Sequence, residues 1–403
     1  MTNAEKIFLT ILKNAVHHSE YQPEVAADDW ESVFSVASAQ SLLPLIYNSA
    51  SEYFEFKKFD EAHPEYMITT IKMLGIQVTR TSDFLNLYRA FLEAGIAPVV
   101  VKGIVCRSLY GELQDFRLSG DEDILIEKKD YEHAKSVLST CGYHSDDVAD
   151  NTLSAIQEVT FYNEETGLTV ELHLNPFGED NQIRSKMNTW FRKSFKETET
   201  LEIDGVNLCV LSSTDNLLFL LFHAFKHFLS AGMGIRMALD ILLCMERNQD
   251  NIDWEYIKTA LEDVKAGSFT ADLIAMGNMY LGFDLSIDGL DILTSPDELL
   301  EDMLRMGTFG ISSQVNVDAS RFTKTAIERK GSNKIVDTVH LIFPSWNQWK
   351  GFKPYLVNKP WMLPVEWCKR VGRYWKKRDK VNFSESRKIA DHRIELMKKY
   401  KVI

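Results

Sequence analysis

Residues 99–126 read VVVKGIVCRSLYGELQDFRLSGDEDILI. With Ala97 and Pro98 ahead of it, the stretch sets out a short β-branched strand over Ala97 to Val101, a Lys102-Gly103 turn and a helix over Ile104 to Tyr110. An Arg117-bearing loop and a second strand over Asp121 to Ile126 follow. Alternation along that second strand sends Asp121 and Asp123 to one face and Glu122 to the other. Two carboxylates spaced in this way stand roughly 7 Å apart at Cα and can converge on a hard divalent cation. Lys102 and Arg117 supply the opposite charge nearby. Acids for a metal and cations for phosphates are the inventory that phosphoryl or nucleotidyl transfer requires.

Downstream, Tyr131 to Thr140 has helical spacing and stops at Cys141-Gly142. Glu158 to Tyr162 and Leu168 to Leu174 flank Asn163 to Gly167 and predict a hairpin whose second strand turns Glu171 and His173 to one face. A helix over Gln182 to Phe195 and a hairpin over Leu201 to Val210, turning at Asp204-Gly205, come next. This order predicts a small mixed sheet with helices packed on it. Upstream, residues 3 to 17, a helix reaching Ala39, a third after Gln40, and a long helix from Tyr66 to Ala94 capped by Gly95 form a helical module without clustered chemistry. Past the sheet, Ser212 to Asp215 opens a helix to about Ser230 that carries His223, Lys226 and His227. Helices are expected at Arg236 to Arg247, Trp254 to Glu262 and Asp297 to Met306, and a long polar loop over Gly307 to Asn333.

The Lys102-Gly103 turn and the Arg-x-Ser-Gly-Asp-x-Asp run at Arg117 to Asp123 resemble the uncharacterised bacterial nucleotidyltransferases of the DNA polymerase β superfamily. The superfamily pattern is a Gly-Ser turn, an Asp-x-Asp strand about a dozen residues later and a third carboxylate on a neighbouring strand. Here Ile104 stands where the Ser would be and the gap to Asp121 is longer, both features of the subfamily whose turn is Lys-Gly. The resemblance extends to Glu171-Leu172-His173, to His223-x-x-Lys226-His227 followed by Gly234-Ile235-Arg236 and Asp240, and to Phe343-Pro344-Ser345 and Lys359 to Pro364. It implies an α+β fold: a polymerase β-like mixed sheet with helices at residues 96–211, flanked by helical modules at 1–95 and 212–306 and by a loop and basic aromatic tail at 307–403. It further implies that Asp121, Asp123 and Glu171 hold two Mg²⁺ ions and that Lys102, Gly103 and Arg117 bind the phosphates of an NTP. His223, Lys226, His227 and Arg236 become candidates for lining the cleft. An NMP would pass to an acceptor hydroxyl, on a small molecule, sugar, peptide, protein or tRNA, with pyrophosphate released.

Each signal has a plainer competitor. Asp121 and Asp123 can be a solvated turn, Lys102 an exposed strand end, and Arg117 a surface partner of Asp121 or Asp115. His223 and His227 have the i, i+4 spacing of a metal-binding helix but lack the intervening Glu of H-E-x-x-H, and a core histidine competes. Glu122 faces the packed side, where a salt bridge is expected. Ile104 begins a helix whose first amides are placed to face a phosphate.

The 403 residues suggest two or three domains, and the 45% apolar and 26% charged fractions are those of an ordinary globular chain. Five cysteines without C-x-x-C spacing argue against a zinc site or a disulfide framework and for a reducing cytoplasm. The N-terminus lacks a secretory apolar core. From Leu341 onward sixteen Lys and Arg face five Asp and Glu, so the net charge of -13 conceals an acidic body and a basic tail. An acidic body excludes broad nonspecific nucleic-acid binding outside the tail. Within residues 345–380, Trp346, Trp349, Trp361, Trp367 and Trp375 alternate with Lys and Arg, a pattern that suits nucleic acid, an anionic membrane surface, or a closing helix packed on the body. Two further readings are therefore a nucleotide- or partner-binding protein without turnover, and a peripheral membrane or RNA-associated protein acting through its tail.

Overall fold

The computed structural model describes residues 1–19, 21, 23–145, 158–178, 182–192, 194, 196–308, 314–328, 343, 356, 359–376 and 383–402. They divide into two compact units, one of residues 1–224 and 236–292, the other of residues 225–235 and 293–403.

The first unit is built on a seven-stranded mixed sheet. Its strands are β1 (Val99–Val100), β2 (Asp121–Leu125), β3 (His144–Ser145), β4 (Glu158–Tyr162), β5 (Thr169–His173), β6 (Thr198–Ile203) and β7 (Val206–Leu211), in spatial order β3-β4-β5-β2-β1-β7-β6. β2 runs parallel to β5 and antiparallel to β1, and β1 runs parallel to β7. The two hairpins read from the sequence are β4-β5 and β6-β7. The two-residue strand β3 was not expected from the sequence; it pairs antiparallel with β4 at the sheet edge.

Helices α1 (Asn3–His17), α2 (Trp30–Ala39), α3 (Leu43–Ala50) and α4 (Phe54–Ala62) precede the 29-residue α5 (Glu65–Glu93). α1 starts on a reciprocal cap between Thr2 and Glu5. α4 had no counterpart in the sequence reading; Phe56 and Phe59 seat it on Trp30 and Phe34, with ring centroids 5.0 to 6.4 Å apart. Gly95, at φ +76°, takes the left-handed conformation that ends α5. α5 buries Phe84, Leu85, Leu87, Tyr88 and Phe91 against the sheet, where Val100, Ile124, Val170, Leu172, Leu208 and Val210 complete the core. Apolar residues on the buried face of α5 thus fix the sheet, and its other side carries the acidic residues of β2 and β5 beside buried Val99, Leu125 and Leu211.

α6 (Ile104–Ser108) follows β1, α7 (Tyr131–Thr140) follows β2, and α8 (Gln182–Trp190) follows β5. α9 (Ser213–Leu229) begins in the first unit and ends in the second. α10 (Ile235–Asn248), α11 (Trp254–Asp263) and the unforeseen α12 (Gly267–Met276) complete the helices beyond the sheet in the first unit.

The second unit contains α13 (Pro296–Met306), α14 (Gln314–Glu328), α15 (Leu363–Lys376) and α16 (Phe383–Lys399). α14 corrects the expectation of a loop over 307–333. Its polar sequence hides Val315, Ala319 and Phe322 at helical spacing, and packing on Met306, Ile389 and Ala390 turns that weak stripe into a helix face. In the same unit Arg393 is fully buried beside Asp302 and donates to the carbonyls of Phe228 and Ser230, closing the C-terminus of α9. The chain is α+β, a mixed sheet with helical flanks. No helix among the described residues is long and apolar enough to cross a membrane.

Candidate active site

Parallel pairing of β2 with β5 sets Asp121 opposite Thr169 and Asp123 opposite Glu171. Directly paired residues of neighbouring strands share a face, so Asp121, Asp123, Glu171 and His173 all rise from the same side of the sheet. Asp123 is the hub. Its Oδ1 lies 2.9 Å from Lys102 Nζ and 2.9 Å from His173 Nε2, and His173 Nε2 lies 3.5 Å from Glu171 Oε2. Its Oδ2 is buried without a hydrogen-bond partner among the described residues. On the far side of the imidazole, Glu158 Oε2 stands 3.6 Å from His173 Nδ1.

The charges follow from this crowding. Burial works to neutralise Asp123, but the Lys102 ammonium and the His173 hydrogen bond hold its carboxyl below the usual carboxylate range. Burial likewise opposes charge on Lys102, yet Asp123, Asp121 and Glu171 together keep the ammonium protonated above its ordinary range. His173, also disfavoured as a cation by burial, is raised to about 9 by Asp123 and Glu171. Since an ionised carboxylate only accepts, His173 Nε2 donates to Asp123.

Asp123, Glu171 and His173 each offer a ligand atom, all within 4.8 Å of one another. Two carboxylates and an imidazole are a metal-ligand set, and the unsatisfied buried Oδ2 is an acceptor that a cation would satisfy. Asp121 shares the face but is not a member of that group of three. Glu171 and Asp121 are partly exposed, so the cluster opens to solvent on this side.

The other candidates are placed as follows. Gly103 has φ +58°, and a Cβ built on it would lie 1.9 Å from Glu122 Oε2. It is glycine because the Glu122 carboxylate comes up beneath the turn. That carboxylate accepts the Ile104 amide at 2.7 Å, so the first amide of α6, expected to face a phosphate, is engaged from below. The salt bridge expected of Glu122 gives way to this backbone contact, and burial, partly offset by Arg107 and the Ile104 N–H, raises its pKa to about 8.

Arg117 is 5% exposed. Its Nη2 lies 2.6 Å and its Nε 3.2 Å from the two oxygens of Asp240, while Nη1 donates to Ser119 Oγ at 2.6 Å. Tyr110 donates to the same Asp240 at 2.7 Å, and Arg236, also buried, donates to the Leu118 carbonyl at 2.7 Å. The guanidinium that the sequence offers to a phosphate lies buried against Asp240, and Arg236 lies buried against the Leu118 carbonyl. Gln77 accepts from the Ser119 amide at 2.7 Å, so these side chains together pin the loop that launches β2.

Of the α9 residues, His223 meets the cluster: its Nε2 lies 3.2 Å from Lys102 Nζ and its ring stacks on Phe219. Lys226 and His227 belong to the second unit. In the tail, Trp361 is exposed, Trp367 packs edge-on against Phe343, and Trp346 and Trp349 lie outside the described residues. Three residues that matter here carry no assigned role in the sequence. His173 enters through its strand face and the Glu171-Leu172-His173 resemblance, Glu158 as a strand start, and Asp240 through the resemblance; the shared face of Glu171 and His173 is the signal that points to the first.

No curated protein and no solved structure matches the chain. The family model described as uncharacterised nucleotidyltransferase matches residues 26–282, which span every element that builds this cluster. An acid pair registered against a third carboxylate, under a lysine and on a mixed sheet, is therefore found inside a matched domain, and the chain belongs to the uncharacterised nucleotidyltransferase family.

Proposed function

We propose that the chain is a metal-dependent nucleotidyltransferase that moves an NMP from an NTP to an acceptor hydroxyl and releases pyrophosphate. The observation that carries this reading is the registered pair Asp123–Glu171, with Asp121 on the same face and Lys102 over Asp123. Asp121, Asp123 and Glu171 would hold the metal, and the orphan Asp123 Oδ2 together with an all-acid donor set on one face fits a divalent ion. When bound, such an ion neutralises phosphate charge and lowers the pKa of a coordinated hydroxyl.

The chain's own groups supply the rest. Lys102 presents its ammonium at the mouth of the site, where phosphate oxygens can replace one of its present acceptors. Glu171, with its side chain 24% exposed, is the carboxylate open enough to accept the proton from the acceptor hydroxyl. Arg117, Arg236 and Asp240 act on the loop before Asp121 and hold the acid pair in register. A catalytic site needs its reacting groups held to a fraction of an ångström, which a closed ion-pair strut provides.

The test is incubation with each labelled NTP, Mg²⁺ and a cell extract, asking which molecule takes up label and whether pyrophosphate appears. Asp121→Ala should abolish label transfer while leaving the fold intact; unchanged turnover would remove this site from the chemistry. A second reading, nucleotide binding without turnover, is favoured by one observation: the Ile104 amide is already taken by Glu122. Mg²⁺-dependent nucleotide binding with no pyrophosphate release would select it.

A further inference from the structure

The acid triad leaves His173 unused, yet it is buried within the cluster beside Asp123. Its side chain is 3% exposed, its Nε2 is within 2.9 Å of Asp123 Oδ1 and 3.5 Å of Glu171 Oε2, and its Nδ1 faces Glu158 Oε2 at 3.6 Å. One nitrogen of this histidine points at carboxylates of the proposed metal site, and the other, without a hydrogen-bond partner among the described residues, has a further carboxylate 3.6 Å away that a small shift would bring into the hydrogen bond that orients a ligating imidazole. β5 fixes this by alternation: Glu171 and His173 are two residues apart on one strand, and Glu158 of β4 is the registered partner of His173.

We infer that His173 is a metal ligand, so that Asp123, Glu171 and His173 hold a first-row transition ion, Mn²⁺ in preference to Mg²⁺, with Glu158 orienting the imidazole. The inference rests on the reading of this cluster as a metal site. Mg²⁺ is a hard ion that selects oxygen donors and keeps its waters, whereas an imidazole nitrogen raises affinity along the first-row series, and Mn²⁺ also suits carboxylates. Asp123 is suited to such an ion because its Oδ1 keeps Lys102 while the buried Oδ2 has no partner among the described residues; on binding, His173 Nε2 releases to solvent the proton it now donates to Asp123 and gives its lone pair to the ion. Asp121, outside the group of three, is left to a second ion or to the nucleotide.

The test is binding of Mn²⁺ alone to the full chain, followed by titration calorimetry and by pulsed electron paramagnetic resonance. Wild type should show ¹⁴N coupling from a directly bound imidazole and should bind Mn²⁺ at least about 10-fold more tightly than Mg²⁺. His173→Gln should lose the nitrogen coupling and weaken Mn²⁺ about 10- to 100-fold, with Mg²⁺ affinity changed little. His223→Gln should keep the coupling, which excludes the imidazole near Lys102 as its source. Glu158→Gln, on a partly exposed strand residue, should weaken Mn²⁺ about 10-fold with the coupling intact, and it covers the case in which His173→Gln fails to fold. Mn²⁺ bound without nitrogen coupling, or no Mn²⁺ bound, overturns the inference. In the first case the transferase reading through Asp121, Asp123 and Glu171 survives; coupling without any nucleotide transfer reverses that outcome, keeping the ligand and removing the transferase.

Discussion

The molecule sets two cation–carboxylate pairs close together in one unit, and they differ in how completely they are closed. Arg117 and Asp240 satisfy each other bidentately, and Tyr110 and Ser119 take further positions. Lys102 and Asp123 make a single contact, with one oxygen of Asp123 unpartnered among the described residues and the mouth open beyond Glu171. A planar guanidinium answers both oxygens of a carboxylate at once, whereas an ammonium is a point charge that answers one. The closed pair has the geometry of a structural tie and the open pair that of the proposed site, although the sequence presents both as a cation beside an acidic strand.

Breaking the closed pair should give the largest effect. Arg117→Met leaves Asp240 buried without its main counter-charge and should cost about 3–5 kcal/mol of stability, read as a lowered denaturant midpoint. Breaking the open pair should separate activity from stability. Lys102→Met should reduce transfer about 10²- to 10³-fold, as loss of a charge aimed at the reacting phosphates does, with a smaller change in denaturant midpoint than Arg117→Met. Equal destabilisation by the two variants would erase the distinction between the two pairs.

The smallest effect concerns the opposite face of β2. Glu122 is raised by burial to about 8 from an ordinary value of 4.5, so the folded protein keeps a proton that the unfolded chain has released across that window. Its contribution to stability is therefore present below about pH 4.5, falls as pH rises toward 8 and is flat beyond. Glu122→Gln retains an acceptor for the Ile104 amide and removes the titration, so the slope of stability against pH between these values should become less negative than in wild type. An unchanged slope would assign the pH dependence elsewhere.

Much of this arrangement is legible in the chain because its rules are local. Period-two alternation places Asp121 with Asp123 and Glu171 with His173, and β-branched runs and turn residues mark six of the seven strands. The amphipathic spacing of residues 3 to 17 and the Gly95 stop marked α1 and the end of α5. Residues 314–328 read as loop in the sequence because their apolar stripe is short, and only contact with Ile389 and Ala390, some seventy residues on, makes it decisive. The partner of Arg117 is hidden for the same reason: Asp240 lies 123 positions away, and nothing in the local pattern distinguishes it from Asp121 or Asp115.

Sequence alone determined which residue types face which side of each strand, since backbone geometry dictates that alternation whatever the surroundings. It also determined that a lysine, a glycine and an acid pair follow one another around a turn. Only the tertiary structure decided that β5 pairs parallel to β2 in the register that brings Glu171 beside Asp123, that Glu122 rises under Gly103, and that one cation is sealed while the other stays open. Those outcomes depend on which distant segments exclude water from which groups, and desolvation is a property of the packed molecule that no stretch of chain carries by itself.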